Sequence, residues 1–231
     1  MKTLVITGAS SGIGLHTARL FLEQGYEVVN LSRRRCPIEK VAHINCDLAM
    51  PGFIDNSGPV LRPLLERSDE TVLIHNASRL TSDSSLETPS NALRSVLEIN
   101  VVAANSLNYF VLPFMRPGSS ILFVASTLSE KAVPGSFSYI TSKHAQIGMM
   151  RSLTQDLAGR GIHTAAVCPG FTDTEMLRQH VPADAMDSVR RMSAFDRLIN
   201  PDEIAATLLF VAKNPVLNGS VIHANLGQIE R

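Results

Sequence analysis

The chain has 231 residues, 45% of them hydrophobic, with 21 Lys and Arg set against 21 Asp and Glu. That length suits one α/β domain with a sizeable core, and the apolar share excludes a disordered chain. Balanced charge gives no reason to expect nucleic acid or an anionic membrane as partner.

The N-terminus passes from Met1-Lys2 into Leu4-Val5-Ile6 and then Gly8. That apolar run is too short for a signal-peptide core or a membrane span. Residues 3–7 are predicted as a buried strand, 13–24 as a helix ending at Gly25, 28–31 as a second strand and 43–45 as a weak third. A short helix over 60–66 and a strand over 71–75 follow. Residues 92–114 have helical periodicity, 120–125 read as a strand, and 137–158 as a second long helix. The last elements are a strand over 163–168, a helix over 201–213 opened by Pro201, and a strand over 220–224.

Strands that alternate with helices imply right-handed βαβ crossovers and a parallel sheet covered on both faces. The expectation is an α/β fold, Rossmann-like and doubly wound, in one domain over residues 1–231. The polar stretches 79–91 and 172–200 read as loops, the second with short helices near 174–180 and 183–192. Both fall at the carboxyl ends of strands, where open α/β sheets bind ligands. Cys36, Cys46 and Cys168 are scattered, which argues against a disulfide framework, and no CxxC or HExxH spacing supports a metal site. The cytoplasm is the expected compartment.

The first strand leads into Thr7-Gly8-Ala9-Ser10-Ser11-Gly12-Ile13-Gly14 and then a helix. Glycines allow positive φ and a close approach of pyrophosphate to the backbone, and the helix start offers unpaired N–H groups. This turn resembles the TGxxxGxG turn of the short-chain dehydrogenase/reductase family, and the resemblance runs along nearly the whole chain. It implies cofactor contacts from Gly8, Ser10, Ser11, Gly12, Ile13 and Gly14.

The second strand ends Leu31-Ser32-Arg33-Arg34-Arg35, with no carboxylate at Asn30, Ser32 or Arg33. A carboxylate there would bond the 2′-OH of NAD, whereas an arginine suits the 2′-phosphate of NADP. NADP(H) is therefore preferred over NAD(H), with Ser32 and Arg33 as readers. By resemblance, Asp47-Leu48 meets the adenine, and Asn76-Ala77 stands where the family has NNAG. Ser78 replaces the glycine of that motif.

Tyr139-Ile140-Thr141-Ser142-Lys143 places a phenol and an ammonium one helical turn apart on one face. A free tyrosine titrates near ~10, and a fixed cation beside it is expected to lower that value. Such a tyrosine can exchange a proton with a carbonyl or alcohol oxygen. Ser126 ends a strand and can reach the same sheet edge. Ser126, Tyr139 and Lys143 resemble the family's Ser…Tyr-x3-Lys group, and Asn100-Val101-Val102-Ala103 its NVxA run. The resemblance implies Tyr139 as general acid or base, Lys143 as its tuner and as a ligand of the nicotinamide ribose, and Ser126 as the holder of the substrate oxygen. Asn100 would support a water that relays protons to Lys143. Residues 169–176 resemble the family's PGxxxTxM run, which implies cofactor contacts from Pro169, Gly170, Thr172 and Thr174.

Expected substrate walls include Ser78, Thr127, Phe137, Phe171 and Met176. The wall leaves an acidic or phosphorylated substrate and a small neutral ketone both open. By resemblance the two long helices pair between subunits in a homodimer or homotetramer, while the closing strand near Gly227 lacks the family's usual second glycine. The reading is an NADPH-dependent reductase of a ketone, aldehyde or 3-oxoacyl group. The rivals are a catalytically silent NADP-binding regulator or scaffold on the same fold and a Rossmann-like methyltransferase. The second of these leaves the Tyr-Lys pair unexplained.

Overall fold

The computed structural model describes residues 1–229. Seven parallel strands stand in the order β3-β2-β1-β4-β5-β6-β7: β1 (Lys2–Thr7), β2 (Glu27–Ser32), β3 (Ala42–Asn45), β4 (Glu70–His75), β5 (Ser120–Val124), β6 (His163–Pro169) and β7 (Val221–Ala224). Their central members are apolar on both faces because helices cover both. Val5, Leu73, Ile121 and Phe123 pack with α2 (Phe53–Glu66), α4 (Ala103–Val111) and α5 (Phe137–Asp156). Leu4, Ile6, Val72, Ile74 and Leu122 pack with α1 (Gly12–Glu23) and α8 (Pro201–Lys213). Strand order reverses between β1 and β4, which places a crevice at their carboxyl ends.

Two helices differ from expectation. The predicted helix over 60–66 starts seven residues earlier, as α2. Pro59 and Pro63 lie inside it, and such prolines normally end a helix. Both are exposed, so the carbonyls they leave unpaired face water, while Phe53, Ser57, Leu61 and Leu65 form the buried stripe.

The predicted helix over 92–114 is not one regular helix. It runs as α3 (Ser90–Leu97), a π-helical turn over Glu98–Val102, then α4. The stretch Ser90–Phe114 is long and apolar enough to cross a membrane by length and composition. Its inner side, including Val96, Asn100, Ala103, Leu107 and Val111, is buried in the fold.

Between β6 and α8 the chain forms α6 (Glu175–His180) and α7 (Met186–Arg190), within the stretch expected to wall the substrate. Cys36, Cys46 and Cys168 are free and buried.

Candidate active site

The turn after β1 is built from backbone. Gly8 and Gly12 have φ of +73° and +53°, a region that L side chains rarely adopt. A Cβ on Gly14 would stand 2.4 Å from the Gly8 carbonyl oxygen and 2.5 Å from Asn76 Nδ2. Asn76 clamps the turn from β4: its Nδ2 donates to the carbonyls of Thr7 and Gly8 at 2.9 and 3.1 Å. The backbone N–H groups of Asn76 and Ala77 donate to Thr7 Oγ1.

No side chain caps the start of α1, so its first N–H groups are left to bond an anion. A cleft of about 400 Å³ opens there, lined by Gly12, His16, Asp173, Thr174, Glu175 and Arg178 among others. A Cβ on Gly12 would meet Thr174 at 3.2 Å. Gly12 is the glycine that lines this cleft, and the uncapped N–H groups beside it suit a pyrophosphate.

Tyr139 and Lys143 are buried, at 9% and 1% exposure. The phenol is hydrogen-bonded to Ser126, whose Oγ also accepts from Leu128 N–H. Ser129 Oγ accepts from Ser126 N–H in return, which fixes the serine in a capping box. Lys143 Nζ sits 5.4 Å from the centre of the Tyr139 ring. It donates to the Val124 carbonyl at 2.9 Å and to Gln146 Oε1 at 3.1 Å.

Asn100 sits in the π-helical turn, 1% exposed. Its Oδ1 accepts from Arg79 N–H at 2.7 Å, and its Nδ2 donates to the Arg79 carbonyl and to Ser142 Oγ at 3.0 and 2.8 Å. Ser142 Oγ donates to the Tyr139 carbonyl. One asparagine thus joins the loop after β4 to α5.

Burial governs the titration of the pair. The phenol is pushed up to about 12, mainly by desolvation, and the Lys143 ammonium is pulled down to about 7 by the same cause. The expectation that Lys143 lowers the phenol's value is therefore corrected. Burial strips hydration from both groups, and for the phenol this outweighs the Ser126 hydrogen bond, which acts in the opposite direction.

The sequence model described as enoyl-(acyl carrier protein) reductase matches residues 8–228. The chain belongs to the short-chain dehydrogenase/reductase family. A 3-oxoacyl-[acyl-carrier-protein] reductase of Thermotoga maritima is 28% identical, aligned over 99% of this chain and 98% of the relative. The solved structure of a short chain dehydrogenase family protein from Francisella tularensis superposes with a TM-score of 0.90 at 27% identity, covering 98% of both chains. A short chain dehydrogenase from Burkholderia cenocepacia in complex with NADP has a TM-score of 0.86 at 25% identity, covering 98% and 97%. As a short-chain dehydrogenase/reductase, the protein is an oxidoreductase of CH–OH and C=O groups in small molecules and works with a nicotinamide cofactor. Membership sets aside the methyltransferase.

The remaining expected contacts of this short-chain dehydrogenase/reductase divide. Asn100, Ser126, Tyr139 and Lys143 come together at the carboxyl ends of β4 and β5, beside the glycine turn. Thr172 is buried, with its Oγ1 donating to the Gly170 carbonyl, and follows Pro169 at the end of β6. Thr174 Oγ1 caps α6 by accepting from Leu177 N–H. Asp47 Oδ1 accepts from Ala49 N–H in a tight turn, and Leu48 lies buried beneath. Ser78 Oγ is buried with no partner. Thr127 is buried, while Phe137, Phe171 and Met176 are partly exposed.

After β2 the picture is less expected. Ser32 Oγ donates to the Arg34 carbonyl at 2.5 Å and accepts from Asn30 Nδ2, so it is engaged within its own turn. Arg33 is exposed. Arg34, not singled out beforehand, reaches Ser11 Oγ at 3.3 Å and Glu175 at 3.1 Å.

Three supporting residues were not assigned from sequence: Ser129, Ser142 and Gln146. Gln146 had a readable signal. It stands seven residues after Tyr139, a polar side chain on the helix stripe that must be buried. Among the described residues no group of three or more His, Cys, Asp or Glu could hold a metal ion.

Proposed function

We propose that this protein is an NADPH-dependent carbonyl reductase, acting on a ketone, aldehyde or 3-oxoacyl group, with Tyr139 as general acid. The observation that carries this reading is the buried phenol bonded to Ser126 beside the glycine turn. The nicotinamide supplies the hydride.

Ser126 holds the substrate oxygen through its hydroxyl, kept in place by Ser129. Tyr139 gives its proton to that oxygen as negative charge grows there. A phenol pushed up to about 12 remains protonated at neutral pH. That is the state a reduction needs. Lys143 uses two of its three N–H donors on Val124 and Gln146, which leaves one for the nicotinamide ribose.

Gly8, Ser10, Ser11, Gly12, Ile13 and Gly14 cradle the pyrophosphate at the start of α1, with Thr174 beside it. Asp47 and Leu48 flank the adenine. Asn76 and Ala77 flank the ribose, and Pro169, Gly170 and Thr172 the carboxamide. Arg33 meets the 2′-phosphate, because no carboxylate stands at the end of β2 to repel it. The substrate lies among Ser78, Thr127, Phe137, Phe171 and Met176, under the loop of residues 172–200. We place the protein in the cytoplasm as a homodimer or homotetramer. Exposed Val102 and Tyr109, one turn-pair apart on the long helix, supply an apolar face for pairing.

The test pairs binding with turnover. NADPH and NADH are titrated by fluorescence, then a panel of ketones, aldehydes and 3-oxoacyl thioesters is screened for loss of nicotinamide absorbance. NADPH binding more tightly than NADH, with turnover of at least one carbonyl, is the expected result. Equal affinities, or turnover undiminished in Tyr139→Phe, would end the reading.

A further inference from the structure

Gln146 is 1% exposed and spends both ends of its amide on the catalytic group. Its Nε2 donates to the Asn100 main-chain carbonyl at 2.7 Å, and its Oε1 accepts from Lys143 Nζ at 3.1 Å. The resemblance to the family implies a water, supported by Asn100, that relays protons to Lys143. Here a side chain spans the same two groups. The π-helical turn over Glu98–Val102 is what aims the carbonyl inward, since a regular helix would spend it within its own ladder. Behind the amide lies an internal cavity of about 10 Å³, room for about one water, lined by Thr7, His75, Asn100 and Gln146 among others.

We infer that Gln146 is a positioning residue that anchors the Lys143 ammonium to the π-helical turn through the Asn100 main-chain carbonyl. This rests on the reading of Tyr139 and Lys143 given above. The amide bonds both groups at once, so the Lys143 charge is held by a fixed dipole. The groups facing it are Tyr139 on its own helix and Cys168 from β6, with the Val124 carbonyl from β5. His75 from β4 faces Gln146 across the small cavity.

The test reads folding as well as activity. Gln146→Met keeps the volume and removes the acceptor, and Gln146→Glu keeps an acceptor and adds charge. Melting temperatures are taken for the wild type, both variants and each combined with Lys143→Met, at pH 6 and pH 9.5. Lys143 is charged in the folded protein at the lower pH and neutral at the higher. We expect Gln146→Met to cost about 3–6 °C more at pH 6 than at pH 9.5, and this excess to vanish in the Lys143→Met background. Gln146→Glu should show the opposite sign, costing less at pH 6. Losses that are the same at both pH values in both variants would make Gln146 a packing residue and overturn the proposal. Activity separates the two readings. Turnover retained in Tyr139→Phe would defeat the proposed reaction, while the melting cycle would still judge Gln146.

Discussion

The two halves of the crevice are made of different material. On the β1 side the chain presents backbone: three glycines, an uncapped helix start and the Asn76 clamp. On the β5 side it presents side chains: Ser126, Tyr139, Lys143, Asn100 and Gln146, all but Ser126 nearly without exposure. A backbone cradle is specified by the absence of Cβ atoms, so most neighbouring substitutions leave it intact. A buried polar network is specified by every member at once, and each deletion leaves another group unpaired.

The largest effect is expected where that network meets the substrate. Tyr139→Phe removes one hydroxyl and keeps the ring. We expect kcat/KM to fall by about 10²–10⁴-fold, with NADPH affinity changed by less than about twofold. Steady-state kinetics beside a fluorescence titration measures both. A variant that lost cofactor in proportion to activity would erase the division between the two halves.

Next comes the cost of burying Lys143. Its folded value lies near 7, against an ordinary lysine near 10.5. Between those values the unfolded chain binds a proton that the folded protein does not, so this group makes stability rise with pH over that window. Below pH 7 both states are charged and the burial cost is felt in full. We therefore expect Lys143→Met to melt higher than the wild type at pH 6, with the gap closing as pH approaches 10. A gap that stayed constant across that range would mean the ammonium is solvated in the folded protein.

On the backbone side, Gly14→Ala sharpens the contrast. The added Cβ meets a carbonyl oxygen and the Asn76 amide, neither of which can swing away. We expect a loss of about 1–3 kcal/mol in denaturant unfolding and weak binding of NADPH and NADH alike. Substitution of nearby Ser10 by Ala should cost far less on both counts. Similar losses from the two would show that side chains matter as much in the turn as they do around Tyr139.

These halves were also unequally legible in the sequence. The glycine turn could be read because strand, spacing and helix lie consecutively in the chain, and its physics is local. The alternation of apolar runs located every strand, since both faces of the sheet are covered. The Tyr-Lys spacing was visible, but its electrostatics was not. The sign of the phenol's displacement depends on burial by β5, β6 and the π-helical turn, which the chain brings together from far apart. The π-helical turn itself left no mark in the periodicity of residues 92–114, because one inserted residue shifts the pattern by less than a short stretch can reveal. Likewise the predicted start of α2 at Val60 falls directly after Pro59, a residue that signals a break, and only tertiary structure shows that this proline faces water.

The smallest predicted effect concerns the edge where the two cofactors differ. Arg33 is exposed at the surface after β2, whereas Ser32 is engaged with the Arg34 carbonyl and Arg34 with Ser11 and Glu175. An exposed guanidinium is screened by water and salt, so its bond to a 2′-phosphate is worth little more than a charge-assisted hydrogen bond. We expect Arg33→Ala to weaken NADPH by about tenfold and NADH by less than about twofold, with the difference shrinking as salt is raised. If Arg34→Ala instead carries the discrimination, then the phosphate competes with Glu175 for that arginine. Glu175→Gln would then tighten NADPH, and the reading of the β2 end would shift by one residue. Equal losses of NADPH and NADH in both arginine variants would leave the missing carboxylate as the sole basis for a preference.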